Sequence, residues 1–263
     1  MAEESTGTRG AGVEDFRGKV ALVVGASRGI GADTARAFAH RGATVVLSSR
    51  ETVGLEKVAR EIRDSGGEVA VMPVDLVRDD ALEALGREIR SRFGRLDCAF
   101  NNAGEGYPPT DLVEVPTPAF DRVFPVTVRG TFLAMKQEIS RLLEHGGGSI
   151  VNMSSTAGFS AFKGGSPYVA AKHAIPGLTK AAALDYASRG VRVNAVAPGP
   201  IDTDRRKNLP ETYREPARQA VPMRRWGTGP EVAEAVLWLC SDASRFVTGA
   251  TFVIDGGRMA GFA

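Results

Sequence analysis

Five times over, the chain sets a short β-branched apolar run ahead of a longer amphipathic stretch. KVALVVG, from Lys19, leads into Gly31 to His40, and ATVVLSS leads into Leu55 to Asp64. EVAVMPV precedes Ala81 to Arg92, LDCAFNN precedes Ala119 to Leu143, and GSIVNMSS precedes Tyr168 to Tyr186; VRVNAVAP and ATFVID complete the series. Strands that are apolar throughout have no solvent face, so both sides of their sheet must be covered, and the amphipathic stretches supply the cover. Consecutive parallel strands are joined by right-handed crossovers, which makes the fold a doubly wound, three-layer α/β sandwich of about seven strands. No Pro, Gly or Ser linker and no internal repeat divides the rhythm, so residues 18–263 read as one domain, near the size at which a single core stops growing. Residues 1–17 are small and polar and read as a flexible tail.

Charge and composition remove several classes of function. Lys+Arg 33 against Asp+Glu 31 gives a net charge of +2 without a basic run, so the field that gathers nucleic acid is missing. The apolar runs are far shorter than the roughly 18 residues of a membrane span, and the N-terminus has no apolar stretch of a secretory signal. Cys98 and Cys240 stand in apolar surroundings and are too few for a disulfide framework, which points to the cytoplasm. His40, His145 and His173 lack metal-ligand spacing, and no metal site is expected.

The first strand runs straight into GASRGIG and a helix. Gly25, Gly29 and Gly31 let the backbone turn tightly against a pyrophosphate, while the helix N-terminus offers free N–H groups and the positive end of its dipole. Strand, turn and helix in that order are the context a dinucleotide site requires. Ser27 adds a hydroxyl and Ile30 lies within the turn. The second strand ends at Ser48, Ser49 and Arg50 with no acid to hold both ribose hydroxyls. Arg50 and Arg28 are instead cations suited to a 2′-phosphate, so NADP(H) is the expected cofactor. Asp75 and Leu76 after the third strand, and Asn102, Ala103 and Gly104 after the fourth, are expected beside the adenosine and ribose.

SSTAGFSAFKGGSPYVAAK places Tyr168 and Lys172 four residues apart, on one face of a helix. An ammonium beside a phenol favours the phenolate, which makes Tyr168 a usable acid or base. Ser155, 13 positions earlier at a strand end, can reach the same point. With a phosphate turn upstream, these residues define a reaction centre.

In these motifs the chain resembles the single-domain, NADP(H)-preferring branch of the short-chain dehydrogenase/reductase family. The resemblance covers Phe16 to Gly257 and rests on GASRGIG, NNAG, Ser155, Tyr168 with Lys172, APGPIDT and VTGATFVIDGG. It implies a Rossmann-like fold and hydride transfer between nicotinamide and a carbonyl or secondary alcohol. Ser155 would orient the carbonyl, Tyr168 would move its proton, and Lys172 would assist Tyr168 and hold the nicotinamide ribose. Pro198, Gly199, Ile201 and Thr203 would border the nicotinamide. The family's usual Thr before the turn is Val24 here, and its usual Asn in the long central helix is Thr127. In the family that Asn supports a kink whose main-chain carbonyl holds a water for proton relay. Pro125 itself removes a helical N–H and kinks the helix, which is expected to leave the Thr127 carbonyl free for such a water.

The stretches Glu105 to Pro118 and Ile201 to Gly229 interrupt the rhythm after strand ends, where specificity is built, and the second reads as a substrate lid. With Phe159 and Phe162 near Ser155, they leave a cyclic ketone or alcohol, a 3-oxoacyl thioester and a sugar open as substrates. The apolar segments EVAEAVLWLCSD and ATFVIDGGRMAGFA, with the resemblance, imply a homotetramer. The alternative reading is a non-catalytic NADP(H)-binding or sensor protein, which Thr127 alone supports.

Overall fold

The structure, a computed structural model, describes residues 16–204 and 211–261. Its strands are β1 (Val20–Val24), β2 (Thr44–Ser48), β3 (Val69–Val71), β4 (Cys98–Asn101), β5 (Gly148–Met153) and β6 (Val191–Pro198), followed by β7 (Ile201–Asp202), β8 (Gly227–Thr228) and β9 (Thr251–Ile254). Seven of these form one parallel sheet in the order β3-β2-β1-β4-β5-β6-β9, and β7 and β8 pair with each other apart from it. The doubly wound, Rossmann-like sandwich of about seven strands expected from the sequence is the fold observed. The chain winds outward from β1 to β3, then crosses back to β4, so the connections leaving β1 and β4 part in opposite directions. A crevice opens at that switch point, outside the carboxyl ends of the strands.

The helices are α1 (Gly29–His40), α2 (Thr52–Asp64), α3 (Asp79–Phe93), α4 (Thr117–Phe124), α5 (Gly130–Leu143), α6 (Ser166–Tyr186), α7 (Glu211–Gln219) and α8 (Gly229–Cys240). On one face α1, α2 and α8 close over β1 and β2 with Phe38, Leu55, Ile62 and Leu237, all fully buried. On the other, α3, α5 and α6 bring Leu85, Ile89, Leu142 and Ala183 against β1, β4 and β5. Each fully buried large aliphatic or Phe side chain contributes about 1.5–3 kcal/mol. Phe16, counted with the tail in the sequence reading, belongs to the first face: its ring meets Phe38 edge-on at 5.0 Å and its N–H donates to Arg41 O at 3.1 Å. The rest of that tail, through residue 15, lies outside the described residues.

The stretch Ala119 to Leu143, read as one helix, is three pieces. Pro125 has no N–H to donate, and the chain widens there into a π-helical turn, Pro125–Arg129, between α4 and α5. The interruption expected at Pro125 takes the form of this wider turn, within which Thr127 is buried. The expected lid spans β7, α7 and β8; within it, residues 205–210 are outside the described set.

Candidate active site

β1 ends at Val24, and the backbone reverses at Gly25 with φ +85°. A Cβ there would stand 2.7 Å from Ala103 N, and one on Gly31 would stand 2.2 Å from Gly25 O, so neither position accepts a side chain without backbone movement. Asn102 clamps the turn by donating Nδ2 to Gly25 O at 2.9 Å. The extended Arg28 precedes α1 without a side-chain cap, and the first turn of α1 holds no acid. The first amides of α1, which have no partner within the helix, are left to the crevice. Bare backbone donors, a positive dipole end and a close-approach turn fit a diphosphate, so these residues suit a dinucleotide.

At the outer rim Arg28 and Arg50 are exposed, and neither pairs with an acid among the described residues. Glu51, which lines the cleft beside Arg50, caps α2 by accepting from Gly54 N at 2.9 Å. Asp75 is held locally, accepting from Val77 N at 3.3 Å.

At the inner end Tyr168 and Lys172 stand on one face of α6, with Lys172 Nζ 5.8 Å from the Tyr168 ring centre. Lys172 is buried and donates Nζ to Met153 O, at the end of β5, at 2.7 Å. Burial disfavours the ammonium and lowers its pKa to about 8. Ser155 follows β5 in extended conformation, and its Oγ accepts from Ala157 N at 3.1 Å. Phe162 lies 6.4 Å from the Tyr168 ring, and it and Phe159 expose about half of their surface at this end.

Every residue expected at the site except Gly31 and Thr127 lines this one cleft, a cavity of about 400 Å³. Gly31 lies behind the wall, where it lets Asn102 and Gly25 meet. Thr127 is buried; its Oγ1 accepts from Glu105 N at 3.0 Å, and its carbonyl accepts from Thr131 Oγ1 at 2.8 Å. The carbonyl expected to be free thus already holds a hydroxyl from the next turn, a consequence of Thr at position 131. Glu51, Glu105, Val126 and Asp204 also line the cleft and were not foreseen. For Glu105 the signal was available in its position directly after NNAG; Val126 is brought in by the π turn, which carries no such mark. No metal-binding cluster of His, Cys, Asp or Glu occurs among the described residues.

A cleft with a dinucleotide turn at one end and a Ser, Tyr and Lys group at the other defines a class of protein. Residues 25–258 match the family model described as enoyl-(acyl carrier protein) reductase, and the chain belongs to the short-chain dehydrogenase/reductase family of nicotinamide-dependent oxidoreductases. It is 41% identical over 247 residues to an A-factor type gamma-butyrolactone 1'-reductase (1S-forming) of Streptomyces virginiae, covering 91% of this chain and 95% of the relative. It is 40% identical to a cis-4-hydroxycyclohexanecarboxylate dehydrogenase of Sinomonas cyclohexanicum, over 94% of this chain and 99% of that one. Among solved structures, a protein from Agrobacterium tumefaciens provisionally described as a gluconate dehydrogenase superposes with a TM-score of 0.90 at 27% identity, covering 95% of this chain and 99% of that one.

Proposed function

We propose that this protein is an NADP(H)-dependent oxidoreductase that interconverts a secondary alcohol on an apolar ring and the corresponding cyclic ketone. The observation that carries the reading is the convergence of Ser155, Tyr168 and Lys172 at one end of the cleft whose other end is the uncapped start of α1. Bound nicotinamide supplies or accepts the hydride; the chain supplies position and the proton. In the reducing direction Ser155 Oγ–H donates to the carbonyl oxygen and Tyr168 gives its phenolic proton to that oxygen as it becomes an alkoxide. The Lys172 ammonium stabilises the phenolate left behind. Ser27 and the amides of Gly29 and Ile30 hold the diphosphate, and Gly31 behind them keeps the turn tight. Ser49, Asp75, Leu76, Asn102, Ala103 and Gly104 enclose the adenosine and ribose, and Pro198, Gly199, Ile201 and Thr203 border the nicotinamide.

Preference for the 2′-phosphorylated cofactor is supported by the exposed Arg28 and Arg50, neither of which forms an ion pair among the described residues. A ring-shaped, apolar substrate is favoured over a 3-oxoacyl thioester or a sugar by Phe159 and Phe162 at the mouth, and by relatives named for cyclohexane and butyrolactone compounds. Exposed Phe246 and Leu184, with the sheet ending at β9, support a homotetramer, testable by light scattering at micromolar concentration. No helix among the described residues is long and apolar enough to cross a membrane, and the free, buried Cys98 and Cys240 fit a cytoplasmic location.

The test is to follow nicotinamide absorbance with NADPH and with NADH over a panel of cyclohexanones, keto-lactones, 3-oxoacyl thioesters and keto-sugars. Turnover of the cyclic ketones with NADPH at the highest kcat/KM is expected; thioesters ahead of cyclic ketones would overturn the substrate class. Thr127 in place of the family's Asn is the feature that favours a non-catalytic NADP(H)-binding or sensor protein, and binding of NADPH without turnover across the panel would establish that reading instead.

A further inference from the structure

Behind the cleft, on the face covered by α5 and α6, one acid lies inside the core. Glu138 is 2% exposed and shares the inner side of α5 with Met135 and Leu142. Its Oε2 accepts from Asn101 Nδ2 at 2.9 Å. The same Nδ2 also donates to Asn152 Oδ1 at 3.0 Å, and Asn152 Nδ2 donates to Thr179 Oγ1 at 3.0 Å. Two atoms of this cluster are buried without a partner, Glu138 Oε1 and Asn101 Oδ1. They are the second heteroatoms of a carboxyl and an amide that already share one bond. An ionised carboxylate only accepts, so it cannot satisfy the amide oxygen. Turning the Asn101 amide over does not help, because its oxygen would then meet Glu138 Oε2 and Asn152 Oδ1, both acceptors. A proton on Glu138 Oε1 would supply the donor that Asn101 Oδ1 lacks and make the contact a two-bond acid–amide pair.

The strands held by this pair lead directly to the cleft. Asn101 is followed by Asn102, which clamps Gly25 O, and Asn152 by Met153, whose carbonyl receives Lys172 Nζ. Thr179 lies two helical turns beyond Lys172 on α6. We propose that Glu138 is a positioning residue that acts as a neutral, protonated acid, tying α5 to the ends of β4 and β5 and so fixing both the cofactor turn and the seat of Lys172.

Glu138 forms no ion pair among the described residues. From β4, β5 and α6 it meets neutral amides and a hydroxyl, and from β1 and α3 the adjoining wall is aliphatic. Arg141, three residues on along α5, lines the same small cavity and pairs through Nη1 with Glu144 at 3.0 Å while its Nε is buried without a partner; Lys172 is bonded to Met153 O. Burial accordingly raises the Glu138 pKa from 4.5 to about 8. Between those values the folded chain holds a proton that the unfolded chain has released. The resulting stabilisation is complete below the unfolded pKa and is lost as pH rises toward about 8. The unfolding constant gains about tenfold per pH unit over that window and no more above it.

The experiment measures denaturant unfolding from pH 5 to 9.5 for the wild type, Glu138→Gln and Glu138→Leu, a readout that stands whichever nucleotide the cleft takes. The Gln amide reproduces both bonds of the protonated acid, so Glu138→Gln should fold, keep NADPH affinity and turnover within about threefold at pH 7, and lack the wild type's decline in stability between pH 5 and 8. Glu138→Leu orphans Asn101 Oδ1 and should raise the unfolding constant about tenfold to a hundredfold and weaken NADPH binding. A Glu138→Gln chain that fails to fold, or whose stability runs parallel to the wild type across this range, overturns the proposal. So does a Glu138→Leu protein with wild-type NADPH affinity and turnover. Independently, infrared difference spectra of the wild type between pH 7 and 9.5, referenced to Glu138→Gln, should lose a protonated-carboxyl band, and its absence overturns the proposal without any variant having to function.

Discussion

The two ends of the cleft are made of different material. The phosphate end is backbone: amides at the start of α1, held in place because Gly25 and Gly31 let main chains approach each other closely. The chemical end is side chain, and its central member, Lys172, is an ammonium taken almost entirely out of water. Backbone donors cost nothing to keep aimed once the turn is formed, whereas a buried cation is held against its own hydration. The difference separates binding from chemistry, so damage at one end should leave the other working.

The largest effect tests that separation directly. Tyr168→Phe removes the proton donor and should lower kcat about 10²- to 10⁴-fold, the usual contribution of general acid catalysis, with NADPH affinity in a fluorescence titration unchanged within about threefold. Comparable losses in both would show that the ends are not separable.

The second test addresses what the buried ammonium costs. The Lys172 pKa is lowered from 10.5 to about 8, so above pH 8 the folded chain sheds a proton that the unfolded chain retains up to about 10.5. Stability should therefore rise with pH across that window, by roughly 3 kcal/mol in total at about 1.4 kcal/mol per unit. Denaturant midpoints for the wild type should show this gain and those for Lys172→Met should not; parallel curves would mean that the ammonium is better solvated than its surroundings indicate.

Smaller changes sharpen the picture at the rim. Arg50→Asp replaces a charge-assisted phosphate contact by repulsion and should move the NADPH-to-NADH ratio of kcat/KM toward NADH by about ten- to a hundredfold, a charged hydrogen bond being worth about 1.5–3 kcal/mol. An unmoved ratio would remove Arg50 from cofactor choice. The smallest effect belongs to Thr127→Asn. The π turn is set by Pro125, so kcat should change by less than about threefold and the KM for NADPH not at all. A larger gain in kcat would mean that the Thr127 side chain, and not the turn, limits proton supply.

The same contrast explains what could be read without a structure. Backbone sites announce themselves, since a turn that admits only glycine leaves its spacing in the sequence, and Gly25, Gly29 and Gly31 stand where the cleft needs them. Tyr168 and Lys172 were legible because four residues on a helix fix a shared face. The break of Ala119 to Leu143 into α4, a π turn and α5 was marked by Pro125, but a proline indicates a kink without saying that the turn widens. Thr131 was not legible as the partner of the Thr127 carbonyl, since a Thr within a helix gives no sign of where its hydroxyl points. Glu138 carried a signal that the eye passes over: three residues after Met135 and four before Leu142, it falls on the apolar stripe of α5, where an acid has no reason to be unless it has a partner.

The bare start of α1 has one more consequence, and it concerns the lifetime of the protein. A helix usually carries a capping side chain, and removing one costs about 0.5–2 kcal/mol. Here Arg28 leaves that place open to whatever anion the crevice takes up. A nucleotide bound there would complete the fold as well as the reaction, and by mass action a free concentration 100 times its Kd would add about 2.7 kcal/mol. Resistance to proteolysis should accordingly track the total supply of nucleotide, oxidised and reduced alike, because both carry the same diphosphate.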